Sequence, residues 1–286
     1  MSPDSVAVIV RAGAFVALFQ AAGIAIFLGV FGDRLAHTGA IVRRLGLIAA
    51  AAGMLLIVAH QLLEAARMAD DFDGVLDGNL QYRALVSSGG ATHAAQVFGL
   101  VLVALGIWRL HRLWSVAASA GAAIAILAFL LTGHTSVHAM RWLLAPLLAL
   151  HLSIVAFWFG ALAPLFMVAG HEPPSVAAWV MQKFSAVVGW LVPGILLAGL
   201  AMGWLLAPDL SVLRRPYGAL LLLKLLGFGL LMGFAALNKW RWVPGLAANL
   251  VASRAALRRS IAAEYLLIVI VLAVTAVLTT FYSPEY

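Results

Sequence analysis

The stretch "WLLAPLLALHLSIVAFWFGALAPLFMV", residues 142–168, decides the fold. It runs for 27 residues without Asp, Glu, Lys or Arg. A helix needs about 20 apolar residues to cross the hydrocarbon core of a bilayer. The stretch is therefore long enough to span. Apolar and polar residues do not alternate along it, which excludes a strand of a closed β-barrel. One histidine, His151, sits well inside, with Ile154, Val155 and Trp158 on the same face at helical spacing. Ionisable groups at such depth are costly and by default mark function.

The rest of the chain repeats the pattern. Seven further apolar runs cover about 6–32, 41–66, 91–109, 114–132, 183–206, 217–237 and 260–281. Of the 286 residues 64% are hydrophobic and only 10% charged, with mean hydropathy +1.05. Soluble domains carry roughly 25% charged residues. The expected fold is all-α: a polytopic membrane protein, a bundle of eight transmembrane helices forming one integral-membrane domain over 1–286. Pro164 and Pro193 fall inside spans, where proline bends a helix. Trp108, Trp114, Trp142, Trp204, Trp240 and Trp242 fall near predicted ends, as an interfacial belt requires. The first run follows "MSPDSV", which lacks a positive n-region, so it is predicted to be a span and not a cleaved signal. The longest polar connections are 67–90 and 238–259, the second with a surface-helix pattern in "LAANLVASRAALRRS".

Lys and Arg set the orientation. With the N-terminus outside, the inner connections hold Arg34, Arg43, Arg44, Arg109, Arg112, Lys183, Lys239, Arg241, Arg254, Arg258 and Arg259. The outer side holds Arg11, Arg67, Arg83, Arg141, Arg214 and Arg215. Eleven against six predicts both termini outside. The net charge of +7 is thus explained by loops facing the cytoplasm, and no nucleic-acid partner is expected. There is no cysteine, hence no disulfide, thiolate site or cysteine nucleophile. Phosphate-binding glycine loops, H-E-x-x-H and G-x-S-x-G are missing, so the expectation is not an enzyme.

In this topology the histidines sort by side. His37, His111 and His171 fall in or beside inner loops. His60 lies near the outer end of span 2, with Glu64 one turn further out. His93 opens span 3, with Gln96 one turn inward. His134 closes span 4, His138 follows in the connection beside Met140, and His151 lies in span 5. Five histidines from four helices collect in the outer half. Histidines on facing helices are a common way to hold a metal or haem in a bundle. The candidate ligands are His60, His93, His134, His138, His151, Glu64 and Met140. Glu64 has a second reading, a pair with Arg67. Met is more often core filler than ligand, and a single interfacial histidine is often only structural. Two further charges fall in spans: Lys224 about two turns from the outer side, and Glu264 about a turn from the inner side. Asn238 and Arg241 are the expected neighbours of Glu264.

The second half of the chain resembles a known family. "TGHTSVH" (132–138) followed by "LLALHLSIVAFWFGALAPL" (147–165) is similar to a pattern of bacterial copper-resistance protein D, the CopD-type inner-membrane proteins. "KFSAVVGWLVPGILLAGLAMGWLL", "RRPYGALLLLKLLGFGLLMGFAALNKWRWVP" and "LRRSIAAEYLLIVIVLAVTAVLTT" resemble that family's C-terminal half segment by segment. The matching features are Phe184, Ser185, Pro216-Tyr217-Gly218, Lys224, Asn238, Arg258, Glu264 and Thr279-Thr280. The resemblance covers about 133–281. It implies eight spans in the bacterial inner membrane and handling of copper ions between periplasm and cytoplasm, often beside a small periplasmic copper-binding protein. Composition and spacing alone leave a copper route and a b-type haem held by two histidines level. A membrane scaffold without metal is the third reading.

Overall fold

A computed structural model describes residues 2–109, 112–206, 215–248 and 250–282, without the side chains of 112–114 and 134. His111 and Arg214, named above, lie outside the described residues. The described chain is helical: α1 Pro3–Phe31, α2 Gly39–Ala69, α3 Gly78–Val86, α4 Ser88–Trp108, α5 Arg112–Leu127, α6 His134–Val137, α7 Arg141–His171, α8 Pro174–Leu206, α9 Pro216–Leu237, α10 Val243–Ala247 and α11 Val251–Phe281. Seven of the helical segments are long and apolar enough to cross a membrane. The remaining apolar helix, Ser115–Leu131, is shorter and closes with a 3₁₀ turn over Ala128–Leu131. The molecule is a polytopic membrane protein.

Two boundaries differ from the sequence reading. The sixth span starts at Pro174 and not near 183, because Pro174 supplies a pre-set first-turn φ. The last helix starts at Val251, so "VASRAALRRS" is the first third of α11 and not a separate surface helix. Glu264 therefore lies thirteen residues into α11, about 20 Å along its axis, and not one turn.

α1 is the hub. It packs against α2, α4, α5, α7 and α11, and 72% of its apolar window is buried. Backbones meet because side chains are missing where helices cross. A Cβ on Gly23 would collide with Ala156 O and Gly160 Cα, and one on Gly160 would collide with Gly23. Gly99 and Gly121 make the same kind of crossing between α4 and α5. In lipid, where water cannot drive helices together, such close backbone approach is the main source of packing energy. Gln20 Nε2 of α1 donates to Gly160 O at 2.9 Å and ties the crossing.

Ion pairs and hydrogen bonds define the two ends. Arg67 Nε of α2 donates to Asp4 Oδ1 of α1 at 2.6 Å. Arg11 Nη1 donates to Thr280 Oγ1 at 3.2 Å, so α11 ends beside the start of α1. At the opposite end Glu172, which follows α7, accepts from His37 N–H (3.0 Å), Thr38 N–H (2.9 Å) and the Thr38 hydroxyl (2.7 Å). Arg254 of α11 donates to the Glu172 carbonyl. Burial alone would raise the Glu172 carboxyl, which is 1% exposed. The three donors from Thr38 and His37 outweigh it and hold the group below its ordinary value.

Candidate functional site

The end that carries α1's start holds the polar cluster. His60 of α2 and His93 of α4 face each other edge to face with ring centroids 5.1 Å apart. Antiparallel packing of α2 and α4 around the short α3 loop brings them together. His60 is 4% exposed, and neither of its ring nitrogens has a hydrogen-bond partner among the described residues. Glu64 Oε1 lies 3.5 Å from His60 Nδ1, one helical turn away. The same carboxylate accepts from Arg67 Nη1 at 2.9 Å. Glu64 thus has both partners the sequence offered.

The His93 ring is oriented. Its Nδ1 lies 2.6 Å from Gln61 Oε1. With the amide oxygen as acceptor, Nδ1 carries the proton and Nε2 keeps a free lone pair. That is the usual way a ligand histidine is fixed from behind. Sequence reasoning passed over Gln61. Its signal was adjacency to His60 on a helix whose next polar residue is Glu64.

The other candidates are not part of this pair. His138 Nδ1 accepts from the Met140 N–H at 3.0 Å, a local turn that starts α7. Its available lone pair is spent on backbone, and Met140 serves as the residue before the first turn of α7. The side chain of His134 lies outside the described residues. His151 packs on α8: a Cβ on Gly199 would lie 3.7 Å from its Cε1. Its polar neighbours are the Ile195 carbonyl and Lys224 of α9, and its Nδ1 has no hydrogen-bond partner among the described residues. Among the described residues, no three His, Cys, Asp or Glu side chains gather closely enough to hold a metal ion by themselves.

A second polar site lies deeper. Asn238 Nδ2 donates to Glu264 Oε1. Asn238 opens a π turn, Asn238–Trp242, closed by Val243 N–H bonding back to the Asn238 carbonyl. Both residues line a cavity of about 50 Å³ with Trp158, Ser185, Met181 and Lys239. The expected meeting of Asn238 with Glu264 is present. The π turn was not foreseen, because nothing in "NKWRW" distinguishes five-residue from four-residue hydrogen bonding.

Fold and sites define a class: a multi-pass helical membrane protein with buried imidazole and carboxylate groups between its spans. Residues 178–278, from early α8 to the end of α11, match the family described as Copper resistance protein D (CopD). That stretch contains Asn238, Glu264 and Lys224, and it excludes His60, His93 and His151. No curated protein and no solved structure matches the chain.

Proposed function

We propose that the protein carries copper ions across the bacterial inner membrane, taking them up at the His60–His93 pair. The match over residues 178–278 supplies the copper class. The observation that carries the uptake site is a pair of buried imidazoles in direct contact, with His60 nitrogens that have no hydrogen-bond partner among the described residues and an oriented ring on His93. Imidazole is a good copper ligand, and Gln61 and Glu64 are the kind of outer partners that raise its basicity. His151 of α7, whose Nδ1 has no hydrogen-bond partner among the described residues, is the next acceptor in this reading, and His134 is the remaining candidate on that side. A small periplasmic copper-binding protein is the natural donor at that face.

Parity supports eight crossings. The Arg11–Thr280 contact ties the first and last helices at one end, and a chain that returns to its starting face crosses an even number of times. Seven long spans therefore need the shorter Ser115–Leu131 segment as the eighth. The Lys and Arg bias then sets both termini in the periplasm. The whole chain, 1–286, is one membrane domain in this reading.

The haem alternative is weakened at this pair, because two rings in edge contact leave no gap for a macrocycle. The deciding measurement is copper content and the visible spectrum of the detergent-purified protein, beside His60→Ala, His93→Ala and His151→Ala. Copper retained by wild type and lost in His60→Ala supports the reading. A Soret band without copper sinks it.

A further inference from the structure

The buried carboxylate of Glu264 has no ion-pair partner among the described residues. It is 2% exposed. The ion pairs present among those residues all lie at the other end of the bundle. A lone carboxylate at such depth is expensive unless a cation or a proton joins it. Its surroundings decide between them.

The cavity beside Glu264 offers an amide, a hydroxyl and one thioether, from Asn238, Ser185 and Met181. Among the described residues that line it there is no second carboxylate and no imidazole, so a divalent or soft metal ion would lack ligands. Lys239, exposed on the π turn, lines the same cavity and repels cations. The volume suits a few water molecules, each needing roughly 10–15 Å³ of such space. Asn238 suits a group that changes protonation. Its Nδ2 donates to the carboxylate, while its Oδ1 is buried without a partner among the described residues. A flipped amide would present Oδ1 to accept the O–H of the acid form, so one residue serves both states.

We propose that Glu264 is a proton-loading site: its carboxylate takes a proton from hydronium in the cavity, leaving water and the neutral acid, and gives that proton up to water reached from the opposite face once the bundle has moved its cation, so that proton and cation movement are coupled. The coupling half rests on the copper-transport reading above. The loading half does not. Lys239 is the other titratable group lining the cavity. Arg258 and Tyr265 lie on Glu264's own helix, turned onto the rings of Phe166 (4.3 Å) and Phe159 (4.9 Å). From α7 and α8 the cavity receives Trp158, Ser185, Met181 and apolar groups. Trp158 also lies within reach of the Glu264 carboxylate. It sits seven residues past His151 on α7, about 10 Å along the axis, which links the two polar layers.

Two measurements test this. The first is infrared difference spectroscopy of the full chain in lipid nanodiscs across a pH series. The expected result is a protonated-carboxyl carbonyl band that rises and falls with pH, is absent in Glu264→Gln, and has a displaced midpoint in Asn238→Val. A series in which no band depends on Glu264 overturns the proposal, whatever the protein transports. The second is copper flux into proteoliposomes with and without an imposed pH gradient. Wild type should respond to the gradient, and Glu264→Gln should run at the gradient-independent rate. Equal gradient response in both overturns the coupling. Wild-type vesicles that move no copper refute the transport reading and the coupling with it, while the infrared band still decides whether Glu264 loads a proton.

Discussion

The α1-centred half and the α8–α9 half of the bundle are built on different principles. In the first, glycines at crossings bring backbones together, and 72% of the apolar window of α1 is buried. In the second, only 11% of the corresponding window beginning at Pro216 is buried; α9 leans chiefly on α11. Gly229 and Gly233 of α9 face open space, where Gly23 and Gly160 face backbone. The family match falls on the open half, and the histidine pair falls in the tight half. A rigid half holds the proposed uptake geometry, while the loosely packed half carries the cavity and the buried carboxylate.

The sharpest break of this contrast is steric. Gly160→Leu should abolish folded, monodisperse protein in detergent, because the side chain has to displace α1 backbone. Gly233→Leu should leave expression and size-exclusion profile unchanged. Equal damage from both would remove the distinction between the halves. Next in size is the metal effect. His60→Ala and His93→Ala should each lose copper retained through desalting, whereas His138→Ala should keep it, since His138 is committed to the Met140 backbone. A smaller effect is expected for Gln61→Ala, a drop of about 10–100-fold in copper affinity with the fold intact, by titration against a competing chelator.

The smallest effect concerns the opposite end. Glu172→Gln keeps the shape but weakens three charge-assisted hydrogen bonds, at a cost of about 1–3 kcal/mol. The folded carboxyl lies below its unfolded value. Its contribution is therefore complete above the ordinary carboxylate range and is lost as pH falls through the folded value. Thermal unfolding should show an acid-side loss in wild type that is reduced in Glu172→Gln. Identical acid profiles would mean the latch carries no stability.

Much of the fold was legible because membrane helices announce themselves by length and composition. Eight runs were read as spans for that reason; seven correspond to helices long and apolar enough to cross, and the run 114–132 is the one whose helix is short. Helix starts were less legible: charge in "SRAALRRS" reads as a surface helix in a polar connection, yet Arg258 can lie over the Phe166 ring within the spanning helix itself. The five outer histidines were identified by depth alone. Depth says nothing of azimuth, so the pairing of His60 with His93, and the turn of His151 toward Gly199, needed the packing of α2 on α4 and of α7 on α8. Asn238 and Glu264 were foreseen as neighbours, since both fell at matching depth on spans adjacent in sequence.

The π turn at Asn238–Trp242 has a consequence for sequence change. Its hydrogen bond spans five residues where an α-helix spans four, so the segment holds one residue more than regular winding accommodates. Removing a single residue there restores regular winding and keeps the helix on both sides in phase, because the wide turn already absorbs the extra residue. A one-residue deletion within 239–242 should therefore leave α9 and α10 on their packing partners and straighten only the turn that follows Asn238.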